Sequence, residues 1–223
     1  MLRGGGSLDA IAALSTANTV TSTDLLHADS SESGLMELEE LPFVDPPQAP
    51  SLAGIRKVRV LYLFAGAARR SDVHHFLAMN CDREGFQLTI KEIDLLRHQS
   101  HDVTDDVLWR QLMDEIRAGL WDVLVCTPPC NTHSRARYSS RPGPPPLRAK
   151  RYPWGFPWLS NRNKEACELG NLLIRLTLEC CALAHEHGCA FLIEHPEDLG
   201  STAVGDQPGS IWAMNEFVDL MKS

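Results

Sequence analysis

Asp122-Val123-Leu124-Val125-Cys126-Thr127-Pro128-Pro129-Cys130-Asn131-Thr132-His133-Ser134 decides how this chain is read. It opens as a short apolar run with β-branched residues, the pattern of a buried strand. Proline has no N–H for a sheet ladder, so Pro128 and Pro129 end that strand at about Thr127. Cys130 follows at once, on the loop beyond the strand's carboxyl end. In open α/β sheets that edge is where ligands bind. A thiol held there by a stiff Pro-Pro turn is placed for chemistry, although free cysteines are commonly inert core residues.

Two further stretches have the same build. Val58-Arg59-Val60-Leu61-Tyr62-Leu63-Phe64-Ala65-Gly66 reads as a strand followed by a small-residue turn. Ala190-Phe191-Leu192-Ile193-Glu194-His195-Pro196 reads as a strand that ends in a carboxylate and a proline. Phe86–Ile93 is a strand as well, with Glu92 and Asp94 at its end. Helices are expected at about 71–80, capped by Ser71 or Asp72, at Trp109–Leu120, at Glu165–His187 before the C-cap Gly188, and at Ile211–Met221. Alternating strands and helices imply an α/β fold with a doubly wound, mostly parallel sheet.

The composition bounds the rest. A chain of 223 residues, 43% hydrophobic and 22% charged, suits one globular domain with a tail. No apolar run approaches the roughly 20 residues of a membrane helix, so no membrane is expected. Seven cysteines without Cys-x-x-Cys pairing suggest neither a disulfide framework nor a zinc site, and no metal is expected. An intracellular setting, nuclear or cytoplasmic, follows. Residues 1–54 carry eight acidic residues against Arg3 alone and read as a disordered acidic tail, with Leu35–Val44 apolar enough to be a docking segment. The folded domain spans 55–223.

Residues 135–164 invert that charge. Arg135, Arg137, Arg141, Arg148, Lys150, Arg151, Arg162 and Lys164 stand there with no acidic residue, in a chain whose net charge is −8. Six prolines oppose regular structure. Tyr138, Tyr152, Trp154, Phe156 and Trp158 are interleaved with the cations. Cations track phosphates and aromatic faces stack on bases, so a nucleic acid is the expected partner, with Arg148, Lys150 and Arg151 as contacts. The competing reading is a surface loop whose aromatics pack on one another.

Taken together, the Phe64-x-Gly66 turn, the Pro129-Cys130 loop and the Glu194 loop resemble the cytosine carbon-5 methyltransferase family, in the same order. Gly66 to Cys130 and Cys130 to Glu194 are each 64 residues. The resemblance implies a Rossmann-like domain that transfers a methyl group from S-adenosylmethionine to cytosine, in DNA more readily than RNA, through a covalent adduct of Cys130, with Glu194 contacting the base. It implies donor contacts from Phe64, Gly66, Glu92, Asp102 and Pro128, and substrate contacts from Ser134, Arg135 and Arg137. The two arginines are also expected to lower the thiol pKa. Ala68, His195 and Asn131 depart from the family's glycine, asparagine and glutamine. The likeness covers about residues 58–200, and no target-recognition region is found after it. The domain is therefore expected to be incomplete at its C-terminus, with a partner chain as one source of target recognition. Two alternatives are a catalytically inactive relative that binds nucleic acid or a partner, and a thiol hydrolase pairing Cys130 with His133 or His195.

Overall fold

The computed structural model describes residues 56–138, 143–200 and 207–222. The acidic tail and Arg141 lie outside them. The chain runs β1 (Arg56–Leu63), α1 (Val73–Arg83), β2 (Phe86–Ile93), α2 (Asp106–Arg117), β3 (Val123–Cys126), α3 (Asn161–Glu186), β4 (Ala190–Ile193) and α4 (Asn215–Leu220). The strands form one sheet in the order β2-β1-β3-β4, and every pairing is parallel. The expected α/β class and parallel sheet are present.

Alternation along β1 divides the core, because successive strand side chains point to opposite faces. Leu61 and Leu63 join Ile93, Leu124 and Cys126 beneath Leu112, Met113 and Ile116 of α2 and Leu173, Leu176 and Cys180 of α3. Val60, Tyr62 and Val125 face the other way, where Leu77 of α1 packs on them. Each fully buried aliphatic side chain contributes roughly 1.5–3 kcal/mol relative to exposure. The second face is thinly covered at one end. Leu192, paired in register with Val125, is 56% exposed, because among the described residues no helix reaches over β4 on that side.

Local chemistry sets the helix ends, and several differ from expectation. Of the two expected caps of α1 it is Asp72 that serves, accepting from the His75 N–H at 3.1 Å. α2 starts at Asp106 rather than Trp109, because Asp105 accepts from both the Val107 and Leu108 N–H groups at 2.9 Å. α3 starts at Asn161, so its first turn takes in the end of the basic stretch. The expected single helix at Ile211–Met221 divides in two. A 3-10 turn covers Ile211–Ala213, and an extended Met214 (ψ 141°) separates it from α4. Among the described residues no helix is long and apolar enough to cross a membrane, and all seven cysteines are free.

Candidate active site

β1 pairs with β2 on one side and β3 on the other, so the loops leaving β1 and β3 diverge at the carboxyl edge and leave a crevice between them. The turn after β1 is strained. Phe64 has φ 63°, a left-handed conformation that costs a non-glycine residue roughly 1–2 kcal/mol. Three hydrogen bonds hold it. The Phe64 and Ala65 N–H groups both donate to the Ile93 carbonyl, at 2.8 and 3.3 Å, and the Phe64 carbonyl accepts from Thr127 Oγ1 at 2.7 Å. The ends of β1, β2 and β3 are thereby tied together.

On the β2 side lies an ionic cluster centred on Arg97, which sequence reading missed. Its Nε donates to the Gly66 carbonyl at 2.9 Å and its Nη1 to Glu92 Oε2 at 3.0 Å, while Nη2 stands 3.4 Å from Asp72. His74 lies 3.1 Å from the same Glu92 oxygen, and Asp94 accepts from the Gly66 N–H at 2.8 Å. Gly66 and Glu92 are thus brought together, through Arg97. Glu92 Oε1 is buried and 2.9 Å from Nη2 but lacks an aligned donor. Gly66, at φ 69°, has nothing within 4 Å of where a Cβ would stand. Asp102 is different, because one of its carboxylate oxygens closes its own turn to the Thr104 N–H and hydroxyl, at 2.9 and 2.7 Å. Among the described residues no hydrogen bond or ion pair links it to the Arg97 cluster.

The β3 and β4 loops make the other wall. Pro128 is buried and Cys130 half-buried, and a turn closes over them as the His133 N–H donates to the Cys130 carbonyl at 2.8 Å. Burial pushes the Cys130 thiol up, and the negative charge of the nearby Glu194 carboxylate pushes it further. This corrects the expectation that arginines lower it. Arg135 forms an exposed ion pair with Glu197 instead. Arg137 donates to the Asn131 and Pro145 carbonyls, at 2.5 and 3.0 Å. Ser134 accepts from the Ala136 N–H, closing a local turn. His133 and His195 stack edge to face at 4.8 Å beneath these loops, 4% and 7% exposed. Burial, with the Arg148 guanidinium nearby, lowers them to pKa values of about 2 and about 4, so both imidazoles are neutral. A cleft of about 360 Å³ opens between His133, Arg135, Glu194, His195 and Glu197.

Arg148 is the clearest correction. Expected on a phosphate, it is fully buried. It donates to the Pro153 carbonyl (2.8 Å), Asn171 Oδ1 (2.6 Å) and the Cys167 carbonyl (3.2 Å). A Cβ on Gly170 would come within 3.2 Å of both Arg148 Nη2 and Thr132 Oγ1, so the arginine fills the space between α3 and the turn after Cys130. The rest of the basic stretch divides. Lys150, Arg151 and Arg162 are exposed. Phe156 stacks on Trp158 at 5.1 Å and 11°, and Tyr152 meets both edge-on. The aromatics pack on one another, as the competing reading held, yet Trp158 stays 67% exposed. Regular structure is not excluded either, since Arg135–Tyr138 form a 3-10 turn and Ala149 bridges Tyr152.

The C-terminal segment buttresses this wall. Ile211 and Met214 pack on Ile174 of α3 with Trp212 and Ile193 beside them, and Trp212 Nε1 donates to the Pro196 carbonyl at 2.7 Å. Nothing in the sequence of 207–214 announced that role, because it depends on contacts between residues far apart in the chain. Among the described residues no cluster of His, Cys, Asp and Glu has the makings of a metal site. Comparison of the chain with family models, curated proteins and solved structures finds no match in any of the three.

Proposed function

We propose that this chain is a Rossmann-like enzyme that transfers a methyl group from S-adenosylmethionine to carbon 5 of cytosine in a nucleic acid, DNA before RNA. The observation that carries the reading is that the loops bearing Cys130 and Glu194 leave adjacent parallel strands at one edge of the sheet, the edge that also carries Gly66 and Glu92, with the carboxylate near enough to raise the thiol. Burial and the Glu194 carboxylate both raise the thiol, and passing the thiol proton to Glu194 removes the repulsion and yields a thiolate beside a neutral carboxyl.

That is the pair the reaction requires. The Cys130 thiolate adds to carbon 6 of the base, forming a C–S bond, while Glu194 gives its proton to ring nitrogen 3. The resulting enamine is nucleophilic at carbon 5. S-adenosylmethionine, when bound against Gly66 and Glu92, supplies the methyl group and leaves as the neutral thioether. Loss of the carbon 5 proton to a base and expulsion of Cys130 restore the ring, with the nitrogen proton returning to Glu194. Lys150, Arg151 and Arg162 supply cations for the strand's phosphates.

Two other readings are less well supported. A thiol hydrolase needs an imidazole that takes the Cys130 proton near neutral pH, and groups with pKa values of about 2 and about 4 do not. A binding module without catalysis is separated by trapping. A strand carrying 5-fluorocytosine should give a covalent adduct in the presence of donor, since fluorine blocks the final elimination. The adduct should vanish in Cys130→Ala and persist in Cys126→Ala, whose thiol is buried in the main core. No adduct with the wild-type chain, or one surviving Cys130→Ala, sinks the proposal.

A further inference from the structure

The two faces of the sheet are covered unequally. α2, α3 and α4 gather on the side of Leu61, Leu63 and Leu124, and α1 alone lies on the side of Val60, Tyr62 and Val125. A right-handed crossover sets α1 over β1 and β2. Among the described residues the half of that face above β3 and β4 is left without a helix. All-parallel sheets occur almost only with both faces covered, because each bare strand leaves apolar side chains in water. The gap shows on both of its sides. Leu192 stands open on β4, no residue of α1 is buried, and Val73 and Phe76 of that helix are 40% and 53% exposed. With Leu77 on the sheet, the helical step of about 100° per residue puts Val73 and Phe76 on the flank turned away from β2, toward β3. An apolar trough therefore runs between that flank and Leu192.

Composition, reach and charge point to an occupant within the chain. Leu35-Met36-Glu37-Leu38-Glu39-Glu40-Leu41-Pro42-Phe43-Val44, outside the described residues, is the densest run of large apolar residues before β1. By register, Leu192 stands two strands across and six residues up from Arg56, a distance of about 22 Å by strand geometry. The link from Val44 to Arg56 extends to about 40 Å, so the run reaches the trough. Glu37, Glu39 and Glu40 give it negative charge. Arg69 and Arg70 stand exposed just before Val73, and the carboxylates at that end, Asp72 and Glu92, are already answered by Arg97. A second copy of the chain fits less well. A stable interface takes about 800 Å² from each partner, more than Val73, Phe76 and Leu192 supply. A tethered segment needs less area, because its local concentration is on the order of millimolar.

We propose that residues 35–44 dock in this trough and cover the bare half of the sheet. Their apolar side chains pack on Val73, Phe76 and Leu192, and their glutamates lie toward Arg69 and Arg70. The acidic stretch before β1 thus supplies the missing cover of the fold instead of serving as a linker alone. It also braces β4, the strand whose following loop carries Glu194. The inference goes beyond the proposed methyl transfer and stands or falls independently of it.

The experiment uses the full chain with photoreactive benzoylphenylalanine in place of Phe43, irradiated at low concentration and mapped by mass spectrometry. Cross-links should form within one chain, to residues 73–79 or 190–193, and Phe76→Asp should abolish them. Cross-links that join two chains would assign the trough to a second copy and overturn the proposal. Cross-links elsewhere in the chain, or none, overturn it too. Hydrogen exchange supplies the second measurement. Leu38→Asp/Leu41→Asp, placed outside the sheet and its helices, should speed exchange in residues 73–79 and 190–193 by about tenfold, the order of one large apolar side chain buried. Amides of α2 and α3 should keep the wild-type rates and so report that the fold is intact. Unchanged exchange at 73–79 and 190–193 would mean that the segment does not cover the face.

Discussion

The two walls of the crevice solve the burial of polar groups in opposite ways. On the β2 side, Arg97, Glu92, Asp72, His74 and Asp94 answer one another, and nearly every charge has an aligned partner. On the β3–β4 side, a carboxylate lies near a raised thiol, three buried histidine nitrogens lack protein partners, and a buried arginine has only neutral acceptors. A satisfied network holds a loop in one shape and asks nothing of a ligand. An unsatisfied one stores free energy that a ligand can release, and strained or unpaired groups concentrate where function is. Under the proposed function the thiol's chemistry falls to the second wall, while the first holds the methyl donor through Gly66 and Glu92.

Acid should break the second wall first, and this is the largest effect expected. The folded-state pKa values of His133 and His195 lie below the ordinary 6.5, at about 2 and about 4, so the unfolded chain takes up protons that the folded chain refuses. Their contribution to stability is complete above about pH 6.5 and lost as pH falls toward 4, by roughly 1.4 kcal/mol per pH unit for each histidine. Urea unfolding between pH 7 and 4.5 should show this slope, and His133→Phe/His195→Phe should flatten it. Equal slopes in the two proteins would mean that the histidines are hydrated and the wall is not dry.

Replacing Arg148 by Met comes next. It leaves the Pro153 and Cys167 carbonyls and Asn171 without their donor, at a loss of about 3 kcal/mol in denaturant unfolding. Arg97→Met on the other wall should lose about half as much, since its partners are closer to solvent and water can replace it. If the two variants are equally stable, the contrast between buried pillar and solvated network is wrong.

Glu194→Gln sharpens the comparison kinetically. Removing the carboxylate removes one of the two causes that raise Cys130, so the thiol should titrate lower and react faster with iodoacetamide at pH 7.5. The gain should stay under about tenfold, because burial, the larger cause, is untouched. Glu92→Gln, on the other wall, should leave the rate alone. A slower reaction in Glu194→Gln would mean that proton transfer to the carboxylate outweighs its repulsion of the thiolate.

The smallest effect belongs to the exposed pair at the cleft mouth. Arg135→Ala should change stability by less than about 0.5 kcal/mol, because both members of its ion pair are largely in solvent. A loss above 1 kcal/mol would make the mouth a fixed part of the wall.

Much of this was legible in local pattern. Val58–Leu63, Phe86–Ile93, Val123–Cys126 and Ala190–Ile193 announced themselves as strands because β-branched and apolar residues crowd between breakers, and each ends where expected to within about two residues. Pro128, Pro129 and Glu194 marked the edge where loops carry chemistry, and Asp72 marked a helix start, since these signals act over a few bonds. The sequence by itself thus determined the parallel α/β order and the side of the sheet on which Cys130, Glu194 and Gly66 lie. Only the tertiary structure decided which charges are free. Arg148 and Lys150 look alike in sequence, yet one is sealed beneath α3 and the other is in water. Arg97 sits outside every motif and still ties Gly66 to Glu92. His133 and His195, 62 positions apart, become one buried pair. Charge and hydrogen-bonding capacity belong to a residue, but burial and partners arise from contacts between distant segments, and these set whether a cation meets a phosphate, a carbonyl or nothing at all.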